Sequence, residues 1–152
     1  VVGIAGDSGF VSINTTKYLM NREVGFGRKL LQILEDLNIS WDHMPTGIDD
    51  LSVILRSKEL TPIKEQEILK HLIQDLQVDY AEIEHDLSII MIVGENMKNQ
   101  IGVTATATKA LSENNINIQM ISQGSSEVSI MFVVNQEQEK QAIKALYNVF
   151  FN

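Results

Sequence analysis

The chain contains no cysteine among its 152 residues, which excludes disulfide staples, thiolate metal sites and a cysteine nucleophile. It has only 2 prolines against 44% hydrophobic content, so nothing in its composition marks disorder, and it has enough apolar material for a real core. Bases are outnumbered, 12 against 20 acids, for a net charge of −8. Affinity for a phosphate backbone rests on clustered Lys and Arg, so nucleic acid is not the expected partner. Long apolar runs are missing too. None is longer than Ile89 to Val93, far short of the roughly 20 residues that cross a bilayer, and no charged-then-apolar leader precedes it. The expectation is a soluble cytoplasmic protein with no membrane partner. The chain opens on Val1, not Met, and is read as a piece of a longer one.

What is present is a repeat. Shifted by 77 positions without a gap, Met20 falls on Met97, Gly25 on Gly102, Leu34 on Leu111, Asn38-Ile39 on Asn115-Ile116, Gly47 on Gly124 and Leu69 on Leu146. Two copies of one supersecondary unit are implied, an arrangement that suits binding and regulation better than a lone catalytic pocket.

In the first copy, Phe10 to Thr15 reads as a strand, and Val24 to Leu37 as a helix with Phe26, Leu30, Leu34 and Leu37 at helical spacing. Ile39 to Met44 and Leu51 to Leu55 read as strands around a turn at Pro45-Thr46-Gly47. Thr61-Pro62 is a capping hydroxyl followed by proline at the first helical position, and Val78 to Glu84 supplies a fourth strand. The second copy repeats the order with strands at Leu87 to Val93, Ile116 to Ile121 and Val128 to Val134, and helices at Gly102 to Glu113 and from about Glu137 to Tyr147. Each βαββαβ unit is expected to lay two helices on four antiparallel strands, an α+β ferredoxin-like layer pair. The second copy is one strand short, and Val1 to Ala5 has no role in the first. The expected organisation is therefore nested: module one at residues 9–85, inserted into module two at residues 1–5 plus 86–152, with the strand at 1–5 completing the second sheet.

Gly6-Asp7-Ser8-Gly9 matches the string around a serine-protease nucleophile, but no positioned His and acid accompany it, and it reads as a turn between two short strands. Gly25-Phe26-Gly27-Arg28-Lys29 opens a helix yet lacks the spacing of a phosphate loop. It leaves either a packing glycine or a helix mouth whose free N–H groups hold a small carboxylate. His43, His71 and His85 have no metal-ligand spacing, and Asp49-Asp50 and Glu82 with Glu84 read as solvated acids. No catalytic residues, metal or cofactor are expected. Arg22 and Glu23 stand at the first helix mouth, and Trp41-Asp42 follow that helix. They read either as rim charges and a half-buried aromatic, or as a zwitterion pocket in which helix N–H groups take a carboxylate and Asp42 takes an ammonium.

The run Lys17-Tyr18-Leu19-Met20-Asn21-Arg22-Glu23-Val24-Gly25-Phe26-Gly27-Arg28-Lys29, with Asn38-Ile39-Ser40 and His43-Met44-Pro45-Thr46-Gly47-Ile48-Asp49, resembles the first ACT module of aspartokinases. Gly102-Val103-Thr104, Asn115-Ile116-Asn117-Ile118 and Met120 through Ile130 resemble the second. The resemblance covers essentially the whole chain. It implies the C-terminal regulatory region of aspartate kinase, the first enzyme of the pathway to lysine, threonine and methionine. The Lys-Phe-Gly-Gly-Thr-type opening of the kinase domain is absent, so no ATP binding or phosphoryl transfer is expected of these residues alone.

The resemblance also implies pairing into a homodimer through the modules, a kinase catalytic domain in cis or in a longer chain, and an end-product amino acid bound at the interface. The effector contacts it implies are Met20, Glu23, Phe26, Gly27, Trp41 and Asp42, with Arg22, Gly25 and Thr46 close by, and Asn115, Asn117 and Ile118 from module two. Glu23 departs from the small hydroxyl residue of lysine-binding relatives, and the turn Gly47-Ile48-Asp49-Asp50 is longer than theirs. With Glu23, Asp42 and Asp49 available to ammonium groups, lysine is preferred over threonine. The alternative is a ligand-free dimerisation scaffold.

Overall fold

The computed structural model describes residues 1–152, an α+β arrangement in which the strands pair antiparallel. In chain order the elements are β1 (Gly3–Thr16), α1 (Phe26–Asp36), β2 (Asp50–Arg56), α2 (Pro62–Gln74), β3 (Tyr80–Val93), α3 (Val103–Glu113), β4 (Met120–Gln123), β5 (Ser129–Asn135) and α4 (Glu139–Phe151). The chain divides into two units, Phe10–His85 and Val1–Gly9 with Asp86–Asn152. Strands run in the order β2-β1-β3 in the former and β1-β3-β5-β4 in the latter.

β1 and β3 are each 14 residues long and serve both units. Each changes unit at a left-handed residue, Gly9 with φ 80° in β1 and Asp86 with φ 58° in β3. Such a residue shifts the two-residue alternation of a strand. Accordingly the odd-numbered Val11, Ile13, Ala81 and Ile83 join the helix-facing core of one unit, whereas the even-numbered Ile4, Ile90 and Ile92 join that of the other. Two sequence expectations are corrected here. Gly6 to Gly9 is not a turn but the middle of β1, with Gly6 to Ser8 exposed, and the strands expected at Val78–Glu84 and Leu87–Val93 are one strand, β3, which starts at Tyr80.

In the unit Phe10–His85, the apolar positions of α1 recur at helical spacing, so Phe26, Leu30, Ile33 and Leu34 share one buried face. They pack with Ile68 and Leu72 of α2 over Val11 and Ile13 of β1 and Val53 and Leu55 of β2. Register places Ile13 opposite Val53 and Val11 opposite Leu55. Each such side chain contributes about 1.5 to 3 kcal/mol on burial. α2 begins where Thr61 Oγ1 accepts from the Lys64 amide at 3.2 Å, with Pro62 in the first turn. The strand expected at Ile39–Met44 is reduced to isolated bridges, His43 with Ile54 and Thr46 with Leu51. Pro45 has no N–H to donate, and the turn closes through Gly47 N–H to Asp50 C=O at 2.9 Å.

In the other unit, Val103, Ala107 and Leu111 of α3 and Ala142, Ala145 and Leu146 of α4 pack on Ile90, Ile92, Ile130, Phe132 and Val134. The strand expected from Ile116 begins only at Met120. Ile116 is tied back by its amide to Leu111 C=O at 3.0 Å and buried in the core. α4 runs past Tyr147 to Phe151 because Phe150 still packs against the core, while Tyr147 and Phe151 stack with ring centroids 5.1 Å apart. No helix is long and apolar enough to cross a membrane.

Candidate functional site

The repeat is visible atom by atom at both ends of α1 and α3. Each helix has 11 residues and is preceded by a left-handed glycine, Gly25 (φ 81°) or Gly102 (φ 92°). Each is followed by a left-handed asparagine, Asn38 (φ 57°) or Asn115 (φ 56°). The next residue, Ile39 or Ile116, donates back to Leu34 or Leu111, at 2.9 and 3.0 Å. Bonds of this kind satisfy the carbonyls that a helix leaves free at its end.

At the mouth of α1, the segment after β1 is stapled to the turn before β2. Lys17 N–H donates to Asp49 C=O at 2.9 Å, Leu19 N–H to Asp49 Oδ1 at 2.9 Å and Asn21 N–H to Ile48 C=O at 3.2 Å. This brings Met20, Glu23, Gly25, Phe26 and Gly27 together beside the turn that carries Thr46. Met20 and Phe26 are buried in the core of the unit, while Arg22 and Gly25 are exposed. The first bond of the helical ladder runs from Lys29 N–H to Gly25 C=O at 3.0 Å, and the amides of Gly27 and Arg28 have no backbone acceptor. Such a helix end favours an anion.

Glu23 meets Lys17, a residue outside the sequence-derived set. Lys17 Nζ lies 2.8 Å from Glu23 Oε1 and 2.7 Å from Leu76 C=O, and 5.9 Å from the Phe26 ring centroid. The hydrogen bond from Lys17 holds the Glu23 carboxyl below its ordinary range, against a smaller opposing effect of desolvation. Glu23 Oε2 is enclosed and has no partner.

Trp41 and Asp42 lie elsewhere on the same unit. Trp41, 42% exposed, lines a cavity of about 570 Å³ with Leu31, Leu34 and Glu35 from the second half of α1 and with Asn38 just after it. The Asp42 amide donates to Ile54 C=O at 2.8 Å, and its side chain is exposed. Three residues, His43 to Pro45, separate it from Thr46 along the chain. Trp41 thus lies beside a different stretch of α1 from the residues at the helix mouth. In the other unit, Asn115 and Asn117 are exposed and Ile118 is half-buried after α3. These occupy the repeat positions of Asn38, Ser40 and Trp41.

Sequence reasoning missed a cavity of about 650 Å³ at the mouth of α3, lined by Met97, Gln100, Gly102, Val103 and Thr104 with Gln123, Gly124 and Glu127. These are the repeat images of Met20, Glu23, Gly25, Phe26 and Gly27 with Thr46, Gly47 and Asp50. The shift of 77 positions, applied to the first-copy residues, would have found it. No cluster of His, Asp or Glu has the arrangement of a metal site.

Residues 90–150 match the ACT domain family. Aspartokinase 3 of Bacillus subtilis is 52% identical over 151 residues, 99% of this chain and 33% of that protein. The chain thus spans about a third of the length of this curated relative. The crystal structure of Clostridium acetobutylicum aspartate kinase superposes with a TM-score of 0.93 at 37% identity, over 99% of this chain and 34% of that one. The regulatory subunit of aspartate kinase from Thermus flavus shares the fold over 99% of this chain and 98% of its own, with a TM-score of 0.83 at 21% identity.

Proposed function

Because this chain belongs to the aspartokinase family, as a regulatory region built on the ACT fold, we propose that it senses an end-product amino acid and transmits its binding to an aspartate kinase domain. In this reading the kinase domain is joined in cis or in a longer chain and serves the pathway to lysine, threonine and methionine. We read the two units as one module inserted into the other, and the assembly as a homodimer through these modules.

The observation that carries the reading is the mouth of α1. A left-handed Gly25, two amides without backbone acceptors, the buried Met20 and Phe26 and the carboxylate of Glu23 converge there. A free amino acid offers the complementary pair, a carboxylate for the amides and an ammonium for an acid. Trp41, next to Asp42, lies beside the second half of α1, so the second half-site is read as supplied by a neighbouring copy or module. Trp41 with Asp42, or Asn115, Asn117 and Ile118, are the groups that would close the pocket. Lysine is the preferred effector and threonine the next. Lysine, with aspartate, is bound in the T-state structure of E. coli aspartokinase III, which has this fold.

Binding shifts the kinase only by the difference in affinity between its two states, and couplings of this kind run to about 1 to 3 kcal/mol. A millimolar sensor needs about 4 kcal/mol of binding free energy, which one carboxylate cradle and one or two ammonium contacts supply. Titration calorimetry with lysine and with threonine tests the reading. Saturable heat at millimolar lysine is the expected result. Absence of heat with both would leave a dimerisation scaffold as the function.

A further inference from the structure

We propose that Glu23 is a seat for an effector's side-chain ammonium and that Lys17 fills it in the ligand-free chain, so that a lysine effector binds by displacing the protein's own lysine side chain. The proposal rests on the reading of the α1 mouth as the effector site.

The seat has the parts that a primary ammonium requires. Lys17 Nζ donates to Glu23 Oε1 at 2.8 Å and to Leu76 C=O at 2.7 Å, and lies 5.9 Å from the centroid of the Phe26 ring. A carboxylate, a carbonyl and an aromatic ring thus surround one charge, and each attracts a cation. A lysine effector would present the same four-carbon stem and ammonium to the same partners.

The seat is also underused. A carboxylate accepts several donors, yet Glu23 Oε2 is enclosed with none. Position links it to the anion-binding end of the site. Glu23 immediately precedes the Val24-Gly25 step into α1, and its own C=O accepts the Phe26 amide at 3.3 Å. Lys17 therefore acts as a tethered competitor. It also straps the mouth of α1 to the end of α2 through Leu76, a strap that exchange with an effector would open.

The test is the variant Lys17→Met, which keeps an apolar stem and removes the charge. Titrated with lysine, it is expected to bind about three- to five-fold more tightly than wild type, the range of one partly exposed ion pair. Norleucine, which lacks the side-chain ammonium, should show no gain. Unchanged or weakened lysine affinity overturns the proposal. A second measurement needs no variant: the Lys17 ammonium is followed by 15N NMR in the wild-type chain. Saturating lysine should release it into rapid exchange with water, while norleucine should not. A Lys17 signal that persists at saturating lysine overturns the displacement and leaves the effector site standing. Absence of binding by every amino acid removes the underlying reading and the proposal with it.

Discussion

Gly25 and Gly102 hold the same left-handed conformation, φ 81° and 92°, each one residue ahead of an eleven-residue helix. A Cβ at Gly25 would find its nearest atom, Arg28 Nε, at 3.9 Å, and one at Gly102 would meet nothing within 4 Å. Space is therefore not what demands glycine at either position. The cost of Gly25→Ala or Gly102→Ala is the left-handed backbone alone, about 1 kcal/mol each. Urea unfolding of the single variants should give similar losses, and a loss several times larger at either position would point to a packing role.

Thr61 caps α2 through its hydroxyl on the Lys64 amide at 3.2 Å. Thr61→Ala leaves that donor to water and should destabilise the protein by about 0.5 to 2 kcal/mol. Thr61→Ser keeps the oxygen and should recover most of it. The pair of variants, compared by thermal unfolding, separates the cap from the lost methyl group.

Asp42 is exposed, and its amide is bonded to Ile54 C=O. Asp42→Ala should leave the unfolding transition in place while weakening effector binding by about 1.5 to 3 kcal/mol, the scale of a charged hydrogen bond. Calorimetry on the variant checks this. Unchanged affinity would move the ammonium contact to another acid.

Glu23 gives a pH signature with a definite sign. Its carboxyl is held below the ordinary value of 4.5, first by the hydrogen bond from Lys17. A group whose folded value is lowered stabilises the fold above its unfolded value, and that contribution is lost as pH falls through the folded one. Wild type should therefore be more stable than Glu23→Gln at pH 7, and the gap should narrow below about pH 4.5 as the carboxyl takes up its proton. The side chain is about a third exposed, 31%, so added salt should shrink the gap as well. Urea unfolding at several pH values reads all of this.

The helices were legible in the sequence because each carries its own punctuation. Leu30 and Leu34 mark the buried stripe of α1, Asn38 its end, and Thr61-Pro62 the start of α2. The long strands were not, since Gly6-Asp7-Ser8-Gly9 has the composition of a turn and is exposed up to Ser8, with no alternation to reveal it. Pairing of β1 with β3 supplies the backbone bonds there whatever the side chains are. At the candidate site, the residues of the α1 mouth could be read from their place before the helix. The partnership of Lys17 with Glu23 could not, because the two are joined across a turn containing a left-handed Leu19, φ 59°. Likewise Trp41 and Asp42 follow the helix closely in sequence, and Trp41 stays beside its second half, with Leu34 and Glu35.

The division of the chain fixes an order of events at the ribosome. Residues Phe10–His85 form one contiguous unit and can condense as soon as they emerge. The stretch Val1–Gly9 is made before them, yet its unit includes Asp86–Asn152. The Val1–Gly9 stretch therefore waits for the rest of its unit until Asp86–Asn152 has been synthesised. Its exposed Ala5 to Ser8, with an acid and no large apolar side chain, suit a segment that must stay single without recruiting a stray partner.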